Sequence, residues 1–170
     1  GVQTVRAIAA LALITGHIGK PSSGLAPVRG QNNVQGSCDM GMWPSLYPGY
    51  QRVDDPAARA KFAAAWGVPE ERLSLEPGWK LTDLPHAVGE GKIRAFYNFG
   101  EDPLQTEPDT AQVRRMLESL DLLISQDIFM TQTTALADVV LPATSWAEHD
   151  AVYTASDRSF QLTTAALPPK

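Results

Sequence analysis

Residues 28–41 read VRGQNNVQGSCDMG, and Gln31, Asn32, Asn33 and Gln35 place four carboxamides within five positions of that stretch. A carboxamide offers both donors and an acceptor, and the flanking Gly30 and Gly36 let backbone approach closely whatever lies against it. The pattern suits hydrogen bonding to a polar heterocycle. It also suits a run of solvated turn residues with Arg29 as an ordinary surface charge, and the residues alone leave both open.

A second group of polar residues follows short apolar or β-rich runs: NFGEDP at 98–103, SQD at 125–127 and LPATS at 141–145. Two of the three contain carboxylates. If the runs are parallel strands, these are their carboxyl ends, where open α/β sheets bind ligands. Ionised oxygens only accept hydrogen bonds, so carboxylates there suit the N1–H and exocyclic amine of a guanine or the hydroxyls of a ribose. Caps for the helices that follow are the alternative. The G-x-G-x-x-G fingerprint of dinucleotide-binding folds is absent.

Metal-ligating chemistry finds little to use. The single Cys38 can form neither an intramolecular disulfide nor a Cys-rich zinc or iron–sulfur site. It reads as a structural thiol. His17, His86 and His149 have no metal-site spacing and read as core, cap or surface residues.

The elements that must position these groups can be read from periodicity. Val5, Ile8, Ala9, Ala12 and Leu13 share one helical face, with Leu11 and Ile14 on the other, so a helix apolar all round is expected to be buried and to end at Gly16 or Gly19. Residues 21–54 hold repeated Gly and Pro without a sustained period. Loops of such length are usually functional or disordered, and Met40, Met42, Trp43, Leu46, Tyr47 and Tyr50 favour an ordered one. Next, Asp54 or Asp55 caps a helix that begins at Pro56, stacks Phe62 on Trp66 and stops at Gly67. A short helix or turn limited by Pro85 precedes a β-rich run over 92–103. Asp109 then caps a helix with Val113, Met116, Leu117 and Leu120 on one face. The runs LLIS and DVVLP, separated by a helical TQTTALA, complete a strand–helix–strand–helix–strand order, the pattern of βαβ units and a parallel sheet.

Composition bounds the rest. A chain of 170 residues with 44% hydrophobic and 19% charged residues is enough for one core. A net charge of -5 gives no basic footprint for nucleic acid or an anionic membrane surface, so neither is an expected partner. The apolar run at 7–14 is far shorter than the roughly 20 residues that span a bilayer. The chain opens on Gly rather than Met, which reads as a cut rather than a natural start.

Taken in order, VRGQNNVQGSCDMG, PGYQ, KFAAAWGV, GEDPLQT, QDIFMT, ADVVLPATSWAEHD and DRSFQ resemble the catalytic subunits of molybdenum or tungsten bis-pterin formate dehydrogenases, within the dimethyl sulfoxide reductase superfamily. The resemblance covers nearly the whole chain. Such subunits are several times longer, so the chain resembles an internal segment of one. By this resemblance Arg29 matches the active-site arginine that engages formate, whose planar fork suits a carboxylate. Gln31 matches a glutamine near the pterin. Gly100, Glu101, Asp102 and Thr106 match the strand-end segment that holds the guanosine of one molybdopterin guanine dinucleotide, and Gln126 and Asp127 fall at the next strand end beside the same nucleotide.

The resemblance implies formate oxidation in the full-length enzyme and an inactive isolated segment. The implied cofactor is bis-molybdopterin guanine dinucleotide with Mo or W, with an iron–sulfur cluster bound elsewhere in the parent. Its implied partners are the remainder of the same subunit, electron-transfer subunits or domains, and formate. A cytoplasmic location is expected, with a periplasmic one second. Two alternatives stand beside it: a relative acting on another oxyanion such as nitrate, and a nucleotide-binding or scaffold module without chemistry. One block departs from the family, since Ala151 and Ala155 replace the common Gly and Asn, and a left-handed backbone at Ala151 would be strained. The expected fold is α/β, a Rossmann-like parallel sheet with flanking helices, preceded by a helix (1–20) and a long ordered active-site and cofactor loop (21–54). The sheet part spans 55–150, and 151–170 is an exit segment towards a further domain.

Overall fold

The computed structural model describes residues 1–169. Its central feature is a parallel sheet of three strands, β3 (Ala95–Phe99), β4 (Leu122–Asp127) and β5 (Val139–Pro142), in that spatial order. Side chains alternate along β3. Phe96 and Asn98 face inward beside their partners Leu123 and Ser125, whereas Ala95, Tyr97 and Phe99 lie exposed on the other face. Over the inward face pack α4 (Leu84–Gly89), α5 (Pro103–Thr106) and α6 (Thr110–Glu118), which contribute Val88, Leu104, Val113, Met116 and Leu117 to a core closed by Leu123. The predicted βαβ order is therefore a mixed helix and sheet architecture with a parallel sheet.

The helix signals explain these elements, with two corrections. Asp109 adopts the left-handed region at φ 54 and accepts from the Gln112 N–H at 3.1 Å, the predicted cap of α6. Pro85, expected to limit its helix, instead occupies the first turn of α4, where a missing N–H has no intrahelical bond to lose. The helix expected over TQTTALA shrinks to a single 3-10 turn, Thr134–Leu136. The reason lies at its far end: the chain turns extended at Ala137, and the Asp138 N–H donates to the Leu123 carbonyl at 2.9 Å while the Asp138 carboxylate accepts from the Leu123 N–H at 2.8 Å, which commits the backbone to β5.

A second, smaller core lies around α3 (Pro56–Trp66), capped by Asp55, whose Oδ1 accepts from the Ala57 N–H at 2.9 Å. Phe62 and Trp66 stack at 5.1 Å, and Tyr47 sits 4.7 Å from Phe62. Tyr47 belongs to a hairpin of β1 (Leu46–Tyr47) and β2 (Gln51–Arg52). The stretch 21–54 is therefore not a structureless loop, because it contains this hairpin and α2 (Val34–Asp39). A six-residue helix spans too few turns for its period to show in sequence. A side-chain network holds it, one bond within the helix and two reaching out of it: Gln35 Nε2 donates to Asp39 Oδ1 and to the Tyr50 hydroxyl, and that hydroxyl donates to Asp39 at 2.8 Å.

The chain's far end forms an antiparallel hairpin, β6 (Ala151–Thr154) with β7 (Phe160–Thr163). Ala151 is extended strand, so the feared left-handed strain does not arise there. The positive φ falls on Arg158 instead, at 66°. Helix α1 (Val2–Ile14) has the predicted extent, with Gly16 at φ 68 just beyond it. Its burial was expected and is not found: no residue of α1 is buried, and Ile14 is 82% exposed. Nothing within residues 1–169 supplies a surface that covers its apolar faces. Among the described residues no helix is long and apolar enough to cross a membrane.

Leu117 is 3% exposed at the centre of the main core. Leu117→Ala is expected to lower the unfolding free energy by about 2–5 kcal/mol through lost burial and a residual cavity, as read by denaturant titration. A change below about 1 kcal/mol would place the core's weight elsewhere.

Candidate functional site

Parallel pairing puts the predicted strand-end residues side by side. Phe99 pairs with Gln126, and the Gly100 N–H donates to the Gln126 carbonyl at 2.9 Å. Gly100, Glu101, Asp102 and Thr106 thus leave the end of β3 next to Gln126 and Asp127 at the end of β4. Gly100 turns the chain at φ 64, and a Cβ built there would meet nothing within 4 Å. The backbone at this corner is therefore open to a ligand's close approach.

Each carboxylate of the group commits an oxygen to the protein. Asp102 Oδ1 accepts from both the N–H and the hydroxyl of Thr133, at 3.1 and 2.6 Å, and the Leu104 N–H in turn donates to that hydroxyl at 3.2 Å. Asp102 makes no side-chain bond to α5, the helix it precedes. It fastens the turn between β4 and β5 instead. Asp127 Oδ1 accepts from the Phe129 N–H at 3.0 Å, and Glu101 Oε1 from the Thr106 hydroxyl at 2.7 Å. Gln126 Oε1 accepts from the Tyr97 hydroxyl. The second oxygens of Asp102, Asp127 and Glu101 have no hydrogen-bond partner among the described residues. That leaves a cluster of free acceptors beside an open glycine corner. Such a donor-poor set fits the N–H groups and hydroxyls of a guanosine.

Beneath this corner lies a polar seam that sequence reasoning passed over. Asn98, 3% exposed, donates through Nδ2 to the Glu101 carbonyl at 2.6 Å and to the Ser125 hydroxyl at 3.3 Å. Ser125 and Thr134 share a hydrogen bond at 2.9 Å, as do Thr131 and Thr134. Two adjacent threonines after a strand were the available signal, since hydroxyls favour helix starts and turns.

The four carboxamides of the opening loop divide. Gln35 is used inside the Asp39–Tyr50 network, and Asn33 turns onto β6, where it donates to the Val152 carbonyl and accepts from the Thr154 N–H, both at 3.0 Å. Gln31 and Asn32 are exposed and form no hydrogen bond to the described residues. Arg29 is likewise exposed, without an ion pair or hydrogen bond among them. Upstream of it, the Ser156 hydroxyl donates to the Pro27 carbonyl at 3.4 Å. Arg29 and Gln31 thus sit on a segment tied to the β6–β7 hairpin on both sides, and no hydrogen bond among the described residues joins them to the strand-end group.

Cys38 is buried in α2. His86 pairs with Glu90, His17 with Thr15, and His149 with the Ser145 carbonyl, all locally. Among the described residues no group of three or more His, Cys, Asp or Glu side chains is placed to hold a metal ion.

Comparison with known proteins follows the same residues. The chain is 56% identical, over its whole length, to "Formate dehydrogenase H" of Escherichia coli, and covers 24% of that protein. It is 47% identical over 99% of its length to the "F420-dependent formate dehydrogenase subunit alpha" of Methanocaldococcus jannaschii, again covering 24% of the relative. A "Putative formate dehydrogenase YrhE" of Bacillus subtilis is 44% identical over 99% of the chain and 17% of the relative. The chain therefore spans at most about a quarter of the relatives' length. The family model for molybdopterin oxidoreductases matches residues 1–170, a span that takes in the arginine loop, the hairpin that ties it and both strand-end segments, and the chain belongs to that family.

Proposed function

We propose that this chain is the cofactor-binding segment of a formate dehydrogenase catalytic subunit, which oxidises formate to carbon dioxide with release of a proton and two electrons. The observation that carries the proposal is Arg29: a guanidinium on a segment tied at both ends and left without a protein partner. Its planar fork matches a carboxylate in a bidentate pair, and its charge persists through turnover because an arginine does not deprotonate in proteins. Nitrate would fit the same fork. The names of the relatives favour formate.

A bound bis-molybdopterin guanine dinucleotide with Mo or W supplies the two-electron redox chemistry. Towards it, Gly100, Glu101, Asp102, Thr106, Gln126 and Asp127 hold the guanosine end of one dinucleotide with their free acceptors and open backbone. Gln31, exposed and unpartnered, is assigned to the pterin. The three parallel strands form part of a Rossmann-like sheet. Its bare outward face and α1 are covered by the remainder of the same subunit, while the iron–sulfur cluster and electron-transfer partners lie beyond this segment.

Three expected outcomes test these assignments. In the full-length subunit at matched molybdenum content, Arg29→Lys keeps the charge without the fork, and steady-state kinetics should show a raised KM for formate with activity retained. Arg29→Ala should lower kcat/KM by at least about 100-fold, roughly 2.7 kcal/mol of transition-state stabilisation. Kinetics within about twofold of wild type for both variants would make Arg29 a surface charge. For the nucleotide, Asp102→Asn preserves an oxygen for Thr133 but removes the negative charge, so stability should fall by less than about 1 kcal/mol while guanine-dinucleotide occupancy drops. Unchanged occupancy leaves Asp102 with its bond to Thr133 as its whole duty. Finally, residues 1–170 purified alone should hold no stoichiometric molybdenum, and metal analysis near one Mo per chain would refute that.

A further inference from the structure

Asn33 occupies the N-cap position of α2, yet its side chain bonds to none of that helix's N–H groups, which is what an asparagine there ordinarily does. Its backbone instead takes the left-handed region, at φ 56, a conformation Asn tolerates better than most residues. That conformation accompanies a carboxamide directed at a strand from which it is separated by about 120 residues of chain. Hydrogen bonding along β6 alternates between its two edges, and the Ala155 N–H bonds to the Ser159 carbonyl across the hairpin. Val152 and Thr154 therefore present their groups at the other, free edge. Asn33 meets both with one donor and one acceptor, as a peptide unit of an added strand would. Gly36 is shaped by the same contact: a Cβ there would lie 2.2 Å from Asn33 Oδ1.

We propose that Asn33 is a positioning residue for formate, its carboxamide clamping the Arg29 segment to the free edge of β6 so that the guanidinium is held for the substrate's carboxylate. This rests on the assignment of Arg29 made above. The clamp acts four residues after Arg29, and the Ser156–Pro27 bond acts two residues before it. Between the two ties Arg29 keeps its side chain free, while its backbone is anchored on either side. Pre-set backbone matters here because a misplacement of about 1 Å at a reacting group costs on the order of 100-fold in rate.

The test uses the full-length subunit at matched molybdenum content, with Asn33→Gly, Gly36→Ala, Arg29→Ala and the Asn33→Gly/Arg29→Ala double variant. Glycine removes the clamp while easing the left-handed backbone. Alanine at position 36 pushes the carboxamide off β6 without altering Asn33 or Arg29. Each should raise KM for formate by about tenfold or more. Peptides covering Thr154 should exchange amide hydrogen at least about tenfold faster, because its N–H loses its acceptor. In the Arg29→Ala background, Asn33→Gly should add less than about twofold, since the group it positions is already gone. The proposal is overturned if exchange accelerates while formate kinetics stay within about twofold of wild type, or if the two losses multiply in the double variant. Normal kinetics for Arg29→Ala alone would instead overturn the assignment of Arg29. Should Asn33→Gly fail to accumulate as folded enzyme, Gly36→Ala decides by the same criteria.

Discussion

Ser125 has no exposed surface, and the structure depends on how that buried hydroxyl is satisfied. A buried polar group without a partner costs about 1–3 kcal/mol, so the sheet can form only in a register that gives Ser125 its bonds. Asn98 approaches from β3 and Thr134 from the turn after β4. No buried side-chain nitrogen or oxygen among the described residues is left unpaired. The seam therefore links three elements through groups that a slip by one residue would strand, which is a sharper constraint than apolar contact alone. Once Asn98 lies against Ser125, Gly100 must fall beside Gln126, and the strand-end acceptors converge.

The same economy recurs one step outward. Asp102 gives one oxygen to Thr133 and keeps the other, so a structural bond and a free acceptor share a side chain. Helix cap and ligand contact were competing readings of the strand-end carboxylates. No carboxylate of the group caps the helix that follows it; each makes one structural bond elsewhere and keeps a second oxygen open, because the two oxygens of a carboxylate accept independently. Asp127 and Glu101 repeat the arrangement with Phe129 and Thr106.

Apolar surface tells a complementary story. Tyr97 and Phe99 lie more than half exposed on the outward face of β3, and α1 exposes Val2, Val5, Ile8, Leu11, Leu13 and Ile14. Parallel sheets occur almost only with both faces covered, and contiguous apolar patches mark surfaces meant for contact. In the inward half, where α4, α5 and α6 do the covering, the core is closed around Leu117 and Leu123.

Local pattern in the sequence determined much of this. Helix α3, bounded by Asp55–Pro56 and Gly67, and α6, capped by Asp109, lie where propensity and capping place them, and so do the three strands, two of them with acidic ends, since each signal acts within one turn or one strand. The motif order was enough to identify the family. Tertiary structure alone decided the rest. Whether Asn33 faces a ligand or β6 depends on a strand about 120 residues away, and no local period encodes such a partner. Thr133 and Thr134 are helix-compatible by neighbourhood, but the helix is cut to a turn because Ala137 goes extended and Asp138 pairs with Leu123 to begin β5. The burial expected for α1 failed for the same physical reason: an apolar pattern states how much apolar surface a helix offers, and only the surrounding chain states whether anything covers it.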